Sequence, residues 1–184
     1  LLHNDTLVIE GELLLPILRD ISQGVRFLHS ARNPQIIHGD LKAANILADT
    51  KFRAKVADFG LSQKKTLGGT GTPFWMAPEL LRGESANNAA TNVYSFGIIL
   101  YEVYSRKDPY EGENAEDVLL LVADKSVRKR PPAPRNIPPQ VLSLLTDCLE
   151  DEPDSRPTFE ELDTRLKRVD VKNVDPGQET KKAG

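Results

Sequence analysis

A helical segment over residues 91–104 constrains the fold most, because it is apolar on nearly every side. Such a helix belongs in a domain interior, since any exposed side would leave hydrocarbon in water. Apolar periodicity predicts further helices over residues 13–29, 140–149 and 158–169. The first should begin near Leu14, because Pro16 is tolerated only near a helix start, and the last opens on a capping box, TFEE. We expect a mainly helical domain packed around the 91–104 segment.

A small β region is predicted between the first helix and this central one. The segments QIIHGD (35–40) and NILA (45–48) have the character of short strands, and KFRAKVADFG (51–60) alternates apolar and polar side chains with the period of a half-buried strand. Asp49, Thr50 and Lys51 suit a tight turn between the last two segments. The expected fold class is therefore mainly α with a small β-hairpin.

Composition argues against several kinds of partner. The 184 residues are 39% hydrophobic and 28% charged, which suits one globular domain, and a net charge of −3 gives no reason to expect nucleic acid or a membrane surface. The basic run at residues 128–130 is expected to be a solvated loop. The longest apolar stretch, residues 96–104, contains Glu102 and is far below the roughly 18 residues of a membrane span. The single cysteine, Cys148, is expected in the core, which agrees with an intracellular, cytoplasmic protein.

The segment HGDLKAANIL, residues 38–47, carries the chemistry. Asp40, Lys42 and Asn45 stand among small and apolar neighbours, where polar groups need partners or a ligand. Thirteen residues after Asn45 comes Asp58, in ADFG. If the two strands form a hairpin, an amide oxygen and a carboxylate oxygen meet at one end of it, and such oxygens suit Mg²⁺. The Lys42 ammonium could then bind a phosphate group as a point charge.

These motifs resemble the C-terminal lobe of a eukaryotic protein kinase. HGDLKAANIL is similar to the catalytic loop, DFG to the magnesium loop, GTPFWMAPE to the end of the activation segment and NVYSFGIILYEV to the central buried helix. DSRPTFEEL resembles the stretch whose arginine, here Arg156, pairs with the glutamate of APE, here Glu79. The resemblance implies part of a kinase domain over residues 1–169. The polar sequence that follows predicts a disordered tail over residues 170–184.

The resemblance also implies the role of each site residue. Asp40 would accept the proton of a protein substrate's hydroxyl group, and Lys42 would contact the γ-phosphate of ATP. Asn45 and Asp58 would be the magnesium ligands. Lys42 together with Thr72 resembles serine/threonine kinases, and WMAPE is shared with tyrosine kinases and with the tyrosine-kinase-like group of serine/threonine enzymes, where we expect this chain to belong. His38 is expected to support the catalytic loop and His29 to cap a helix.

Two positions depart from the usual family pattern. Gly39 stands where most active kinases have an arginine that pairs with a phosphorylated loop, so activity is expected not to depend strongly on phosphorylation at Thr66 or Thr70. Asn92 replaces an aspartate that anchors the catalytic loop through its backbone. A pseudokinase or scaffold module is the alternative, because a glycine before the aspartate also occurs in the kinase-homology regions of membrane guanylyl cyclases. The retained acidic residues favour an enzyme.

A third departure concerns the nucleotide. No glycine-rich phosphate loop precedes residue 38 and no lysine precedes Lys42, so the lobe that grips ATP is expected to be missing from this chain. The expectation is a fragment of a larger kinase, nearly inactive alone, with an apolar face where the missing lobe would dock. A parent protein with a membrane anchor is an open alternative.

Overall fold

The computed structural model describes residues 11–32, 34–58 and 72–169. The helices are α1 (Gly11–Ser30), α2 (Pro78–Leu81), α3 (Ala89–Ser105), α4 (Ala115–Ala123), α5 (Pro139–Cys148) and α6 (Phe159–Arg168), and the strands are β1 (Ile46–Ala48) and β2 (Ala54–Val56). Short 3-10 turns occur at Ala43–Asn45, Pro73–Trp75 and Pro153–Ser155. The disordered tail predicted over residues 170–184 lies outside the described residues, as do Thr66 and Thr70.

The central helix is α3, as predicted. Its side chains from Val93 to Val103 are almost all buried, and it packs against α1 and α5. Its start is closed by a reciprocal cap, in which the Asn88 side chain accepts from the Thr91 N–H while the Thr91 hydroxyl oxygen accepts from the Asn88 N–H. Gly97 allows a close approach to α5, because a Cβ there would lie 2.8 Å from Cys148 Cβ. Cys148 is fully buried, as expected, and burial raises the pKa of its thiol.

Helix α1 begins earlier than predicted. It includes Gly11, so Pro16 lies inside the helix and not in its first turn. A proline there removes one backbone hydrogen bond. Burial outweighs this loss, because the apolar stripe formed by Leu15, Leu18 and Ile21 is at most 1% exposed. Helix α1 packs against α6 and β2. The first and last helices of the described chain are therefore in contact.

The predicted hairpin is confirmed for β1 and β2, which pair antiparallel with Ile46 opposite Val56 and Ala48 opposite Ala54. Its turn is held by the Phe52 N–H, which donates to the Asp49 carbonyl at 3.0 Å. The strand predicted over residues 35–40 is wrong, since the described chain is irregular there. Its backbone bonds go elsewhere: the Ile36 N–H donates to the Leu28 carbonyl at 3.3 Å, and the Gly39 N–H donates to a side chain of α3.

The basic run at residues 128–130 is only partly solvated. Arg128 is exposed, but Lys129 pairs with Glu113 at 2.8 Å and Arg130 pairs with the buried Asp151 at 3.2 Å. Internal ion pairs therefore occupy two of the three cations. Helices α5 and α6 and the TFEE capping box follow the prediction, whereas α2 and α4 were not predicted. Among the described residues, every helix is too short or too polar to cross a bilayer.

Candidate active site around the HGD segment

Asp40 is the centre of a polar cluster. It belongs to residues 38–45, which we call the HGD segment, between α1 and β1. Its Oδ1 accepts two hydrogen bonds from Thr72, from the N–H at 3.1 Å and from the hydroxyl at 2.9 Å. Its Oδ2 lies 3.4 Å from Asn45 Nδ2 and 3.7 Å from Lys42 Nζ. The carboxylate is therefore fixed by three residues and is 16% exposed.

Thr72 connects the two charged side chains. Lys42 Nζ donates to the Thr72 hydroxyl oxygen at 2.7 Å, and that hydroxyl in turn donates to Asp40. Thr72 is the first residue of TPFWMAPE, residues 72–79, which we call the WMAPE segment and which also contains Trp75 and Glu79. Lys42 and Asp40 lie 30 and 32 positions before Thr72 in the sequence. The bridge through Thr72 holds their ammonium and carboxylate groups at a fixed spacing. Hydrogen bonds to charged groups of this kind are roughly twice as strong as neutral ones.

Asn45 is oriented by Asp40. Its Nδ2 donates to the Asp40 carbonyl at 2.8 Å, which leaves the Oδ1 atom as the one directed away from that bond. The Ala57 N–H donates to the Asn45 carbonyl at 2.9 Å, one step beyond the β1–β2 ladder. Asp58 comes next and has a left-handed backbone, with φ of 62°, so the strand alternation ends there. The chain thus brings Asp58 to the end of the hairpin that carries Asn45.

His38 supports the HGD segment from inside. It is fully buried, its Nε2 lies 2.8 Å from the Ala57 carbonyl oxygen, and its Nδ1 lies 3.1 Å from the Asp40 N–H. A carbonyl only accepts and an N–H only donates, so the imidazole is neutral with its proton on Nε2. His38 therefore joins the backbone before Asp58 to the backbone of Asp40, which is the supporting role expected from the sequence.

Gly39 and Asn92 form the anchor of the segment. Gly39 has φ of 81°, a left-handed conformation that favours glycine, and its N–H donates to Asn92 Oδ1 at 3.3 Å. Asn92 Nδ2 lies 2.9 Å from His29 Nε2. His29 therefore contacts α3 through its ring and does not act as the helix cap that was expected. Burial lowers the pKa of His29 to about 4.

Glu102 is a site residue that the sequence reasoning missed. Its Oε2 accepts from the Trp75 indole N–H at 2.8 Å and from the Ala43 N–H at 3.3 Å. The side chain is buried in the apolar helix α3. A buried carboxylate requires hydrogen-bond donors, so a lone glutamate in the middle of the apolar helical pattern was the available signal.

The predicted pair of Arg156 and Glu79 is confirmed. Two parallel hydrogen bonds of 2.7 and 2.8 Å join the guanidinium to the carboxylate, and both side chains are buried. Arg156 also lies 5.2 Å from the centre of the Tyr94 ring. This bidentate pair fixes the end of the WMAPE segment to the loop before α6.

The cluster places a carboxylate beside an ammonium group, with oxygen atoms next to them that could bind a metal ion. Within the described ranges, no three carboxylate, imidazole or thiol groups converge as a metal site. A cation here would therefore need amide oxygens or ligand oxygens in addition to a carboxylate. The arrangement suits proton acceptance by Asp40 and binding of an anionic group by Lys42.

Comparison with known proteins assigns the family. The sequence model of the protein tyrosine and serine/threonine kinase family matches residues 1–166. The probable serine/threonine-protein kinase drkA of Dictyostelium discoideum is 42% identical over 174 residues, 92% of this chain and 26% of the relative. The serine/threonine-protein kinase CTR1 of Arabidopsis thaliana is 42% identical over 151 residues, 79% of this chain and 18% of the relative. The dual specificity protein kinase shkD of D. discoideum is 38% identical over 177 residues, 92% of this chain and 23% of the relative. The chain thus spans about a quarter or less of the length of these relatives, and it belongs to the protein tyrosine and serine/threonine kinase family.

Proposed function

We propose that this chain is the C-terminal lobe of a magnesium-dependent protein kinase that transfers the γ-phosphate of ATP to serine or threonine hydroxyls of proteins. The observation that carries the proposal is the bridge in which Thr72 donates to Asp40 and accepts from Lys42. It fixes a proton acceptor next to a cation, as phosphoryl transfer to a hydroxyl requires.

Asp40 would act on the substrate hydroxyl. As the substrate oxygen forms its bond to the γ-phosphorus, the bond from that phosphorus to the β–γ bridging oxygen breaks, and ADP leaves. The hydroxyl proton passes to the Asp40 carboxylate. Thr72 already donates two hydrogen bonds to Oδ1, whereas Oδ2 has only the longer contacts to Asn45 and Lys42. Oδ2 is therefore the oxygen that would accept the proton. Lys42 would stabilise negative charge on the transferred phosphoryl group.

The oxygen donors fit a magnesium ion. Asn45 presents Oδ1 because Nδ2 is held by Asp40, and Asp58 adds a carboxylate at the same end of the hairpin. Two protein ligands are typical for Mg²⁺ at nucleotide sites, where phosphate oxygens and water complete the coordination. When bound, the ion would neutralise charge on the phosphate oxygens.

The rest of the nucleotide site would lie on a second, N-terminal lobe. No lysine precedes Lys42 in this sequence, and the chain spans only 26% of drkA. Leu47, on β1, is 59% exposed and would be covered by the nucleotide or by the second lobe. We expect the chain to bind ATP weakly without that lobe.

The test is phosphoryl transfer by the full-length protein from Mg²⁺–ATP to peptides that differ only in carrying serine, threonine or tyrosine. Asp40→Asn should abolish transfer, and Asp58→Ala should abolish magnesium-dependent ATP binding. Asp49→Asn is the matched control, since Asp49 lies in the exposed hairpin turn. Tyrosine transfer at a comparable rate would support the dual specificity named for shkD, and no transfer by the wild type would favour a pseudokinase.

A further inference from the structure

A row of side chains connects helix α1 to the HGD segment. His29, in the last turn of α1, contacts Asn92 of α3 at 2.9 Å, and Asn92 contacts the Gly39 N–H at 3.3 Å. Gly39 immediately precedes Asp40. The orientation of the Asn92 amide group therefore decides whether the backbone at Gly39, next to Asp40, is hydrogen-bonded to the central helix.

The chemistry of the partners fixes the direction of each bond. The Gly39 N–H can only donate, so the Asn92 oxygen must face it and the Asn92 NH₂ group must face His29. An NH₂ group can only donate, so His29 Nε2 must accept with a lone pair. His29 is then neutral with its proton on Nδ1, the tautomer opposite to that of His38. A protonated His29 would place a donor against a donor.

We propose that neutral His29 is a positioning residue, which holds the Asn92 amide group in the orientation that anchors Gly39 and thereby sets the position of Asp40. The effect on phosphoryl transfer depends on the proposed function, whereas the hydrogen-bond row does not. An aspartate at position 92 would accept hydrogen bonds from both Gly39 and His29, so it would not require a neutral His29. The asparagine is therefore the reason that the neutral imidazole is required here.

The surroundings of His29 keep it neutral. Its ring packs edge-on against Phe159 of α6, with the ring centres 5.2 Å apart. The charged groups that share its cavity are Arg26 of α1, Asp154 and Arg156 before α6, and Glu160 of α6. Arg26 pairs with Asp163 at 3.0 Å and with Glu160 at 3.4 Å, and Arg156 pairs with Glu79, so these cations are occupied and burial is the main influence on the pKa of the ring. Since unfolded histidine protonates near pH 6.5, stability should fall as the pH falls from about 6.5 towards 4.

The variants His29→Leu, His29→Gln and Asn92→Asp test the proposal in the full-length protein. Leucine removes the acceptor, and glutamine restores an acceptor oxygen near the position of Nε2. Ser30→Ala is the matched control, because this neighbouring hydroxyl lines the same cavity but bonds only to the Phe27 carbonyl, at 2.7 Å, among the described contacts. The readouts are exchange of the Gly39 amide hydrogen, the pH titration of His29 in protein with ¹³C-labelled histidine, and kcat and KM.

We expect His29→Leu to speed exchange of the Gly39 amide and to lower kcat, each by about 5- to 30-fold, with the KM for ATP changed less than about twofold. His29→Gln should recover most of both, and Ser30→Ala should match the wild type. Asn92→Asp should raise the pH at which His29 titrates by at least about two units.

Unchanged Gly39 exchange in His29→Leu, or a wild-type His29 that titrates near pH 6.5, would overturn the proposal. If His29→Leu does not fold, the titration of His29 in the wild type and in Asn92→Asp decides. Absence of phosphoryl transfer by the wild type would instead refute the proposed function, and the exchange and titration measurements would still test the role of His29.

Discussion

Breaking the buried pair of Glu79 and Arg156 should cost a large part of the folding free energy, because it leaves a buried charge without its partner. We consider Glu79→Gln, which keeps the shape of the side chain but removes its charge. One of the two parallel hydrogen bonds becomes a contact between two donors, because the amide NH₂ group replaces a carboxylate oxygen. The guanidinium stays buried, since its side chain is 0% exposed.

The magnitude follows from what Arg156 retains. Removing one partner of a buried ion pair costs about 3–5 kcal/mol. Arg156 keeps hydrogen bonds to the carbonyls of Glu150 at 2.8 Å, Ala90 at 3.1 Å and Asp151 at 3.1 Å, so we expect the lower end, about 3 kcal/mol. For a chain of 184 residues, each kcal/mol lowers Tm by about 2–4 °C, which gives a decrease of about 6–12 °C.

Thermal unfolding followed by circular dichroism measures this shift. The matched control is Glu111→Gln, because Glu111 pairs with Lys107 at 3.6 Å but both side chains are about 60% exposed. Exposed pairs contribute less than about 1 kcal/mol, so Tm should change by less than about 4 °C. If Glu79→Gln lowers Tm no more than Glu111→Gln does, the assignment of a structural role to the buried pair is wrong.

Further predictions concern the bridge, the helix contact and the thiol. Thr72→Val should lower kcat by about 10- to 100-fold, with little change in the KM for ATP, because hydrogen bonds to two charged groups are lost; steady-state kinetics measure it. Gly97→Ala should destabilise by about 1–3 kcal/mol in denaturant unfolding, since its Cβ would lie 2.8 Å from Cys148 Cβ, whereas Gly24→Ala, with its nearest atom at 3.4 Å, should be neutral or stabilising. Cys148 should resist a thiol reagent at pH 8 until the chain unfolds, because burial raises the pKa of its thiol; an immediate reaction of native protein would contradict this.

Elements whose signal is local were predictable from the sequence. Helix α3 is apolar all round, the TFEE cap is closed by bonds between residues three apart, and the hairpin turn is closed within five residues. The cluster of Asp40, Lys42 and Asn45 was also predictable, because polar residues among small apolar neighbours need partners. The contacts within this cluster were not predictable, because Thr72, which bridges Asp40 and Lys42, lies outside residues 38–47.

Elements whose partners are distant in sequence were missed. The segment at residues 35–40 has the side chains of a strand, but its Gly39 N–H pairs with Asn92, 53 residues away. Arg130 belongs to a basic run, and only the fold brings Asp151 to it. Helix α4 buries only Val118 and Val122, against Tyr110, and leaves Leu120 70% exposed, so its periodicity is weak.

The shared oxygen of Glu102 makes the order of two segments cooperative. Trp75 of the WMAPE segment and Ala43 of the HGD segment donate to the same Oε2 atom, so neither bond can shift without changing the other. Whatever fixes the Trp75 indole would therefore also fix the backbone of Ala43, three residues after Asp40.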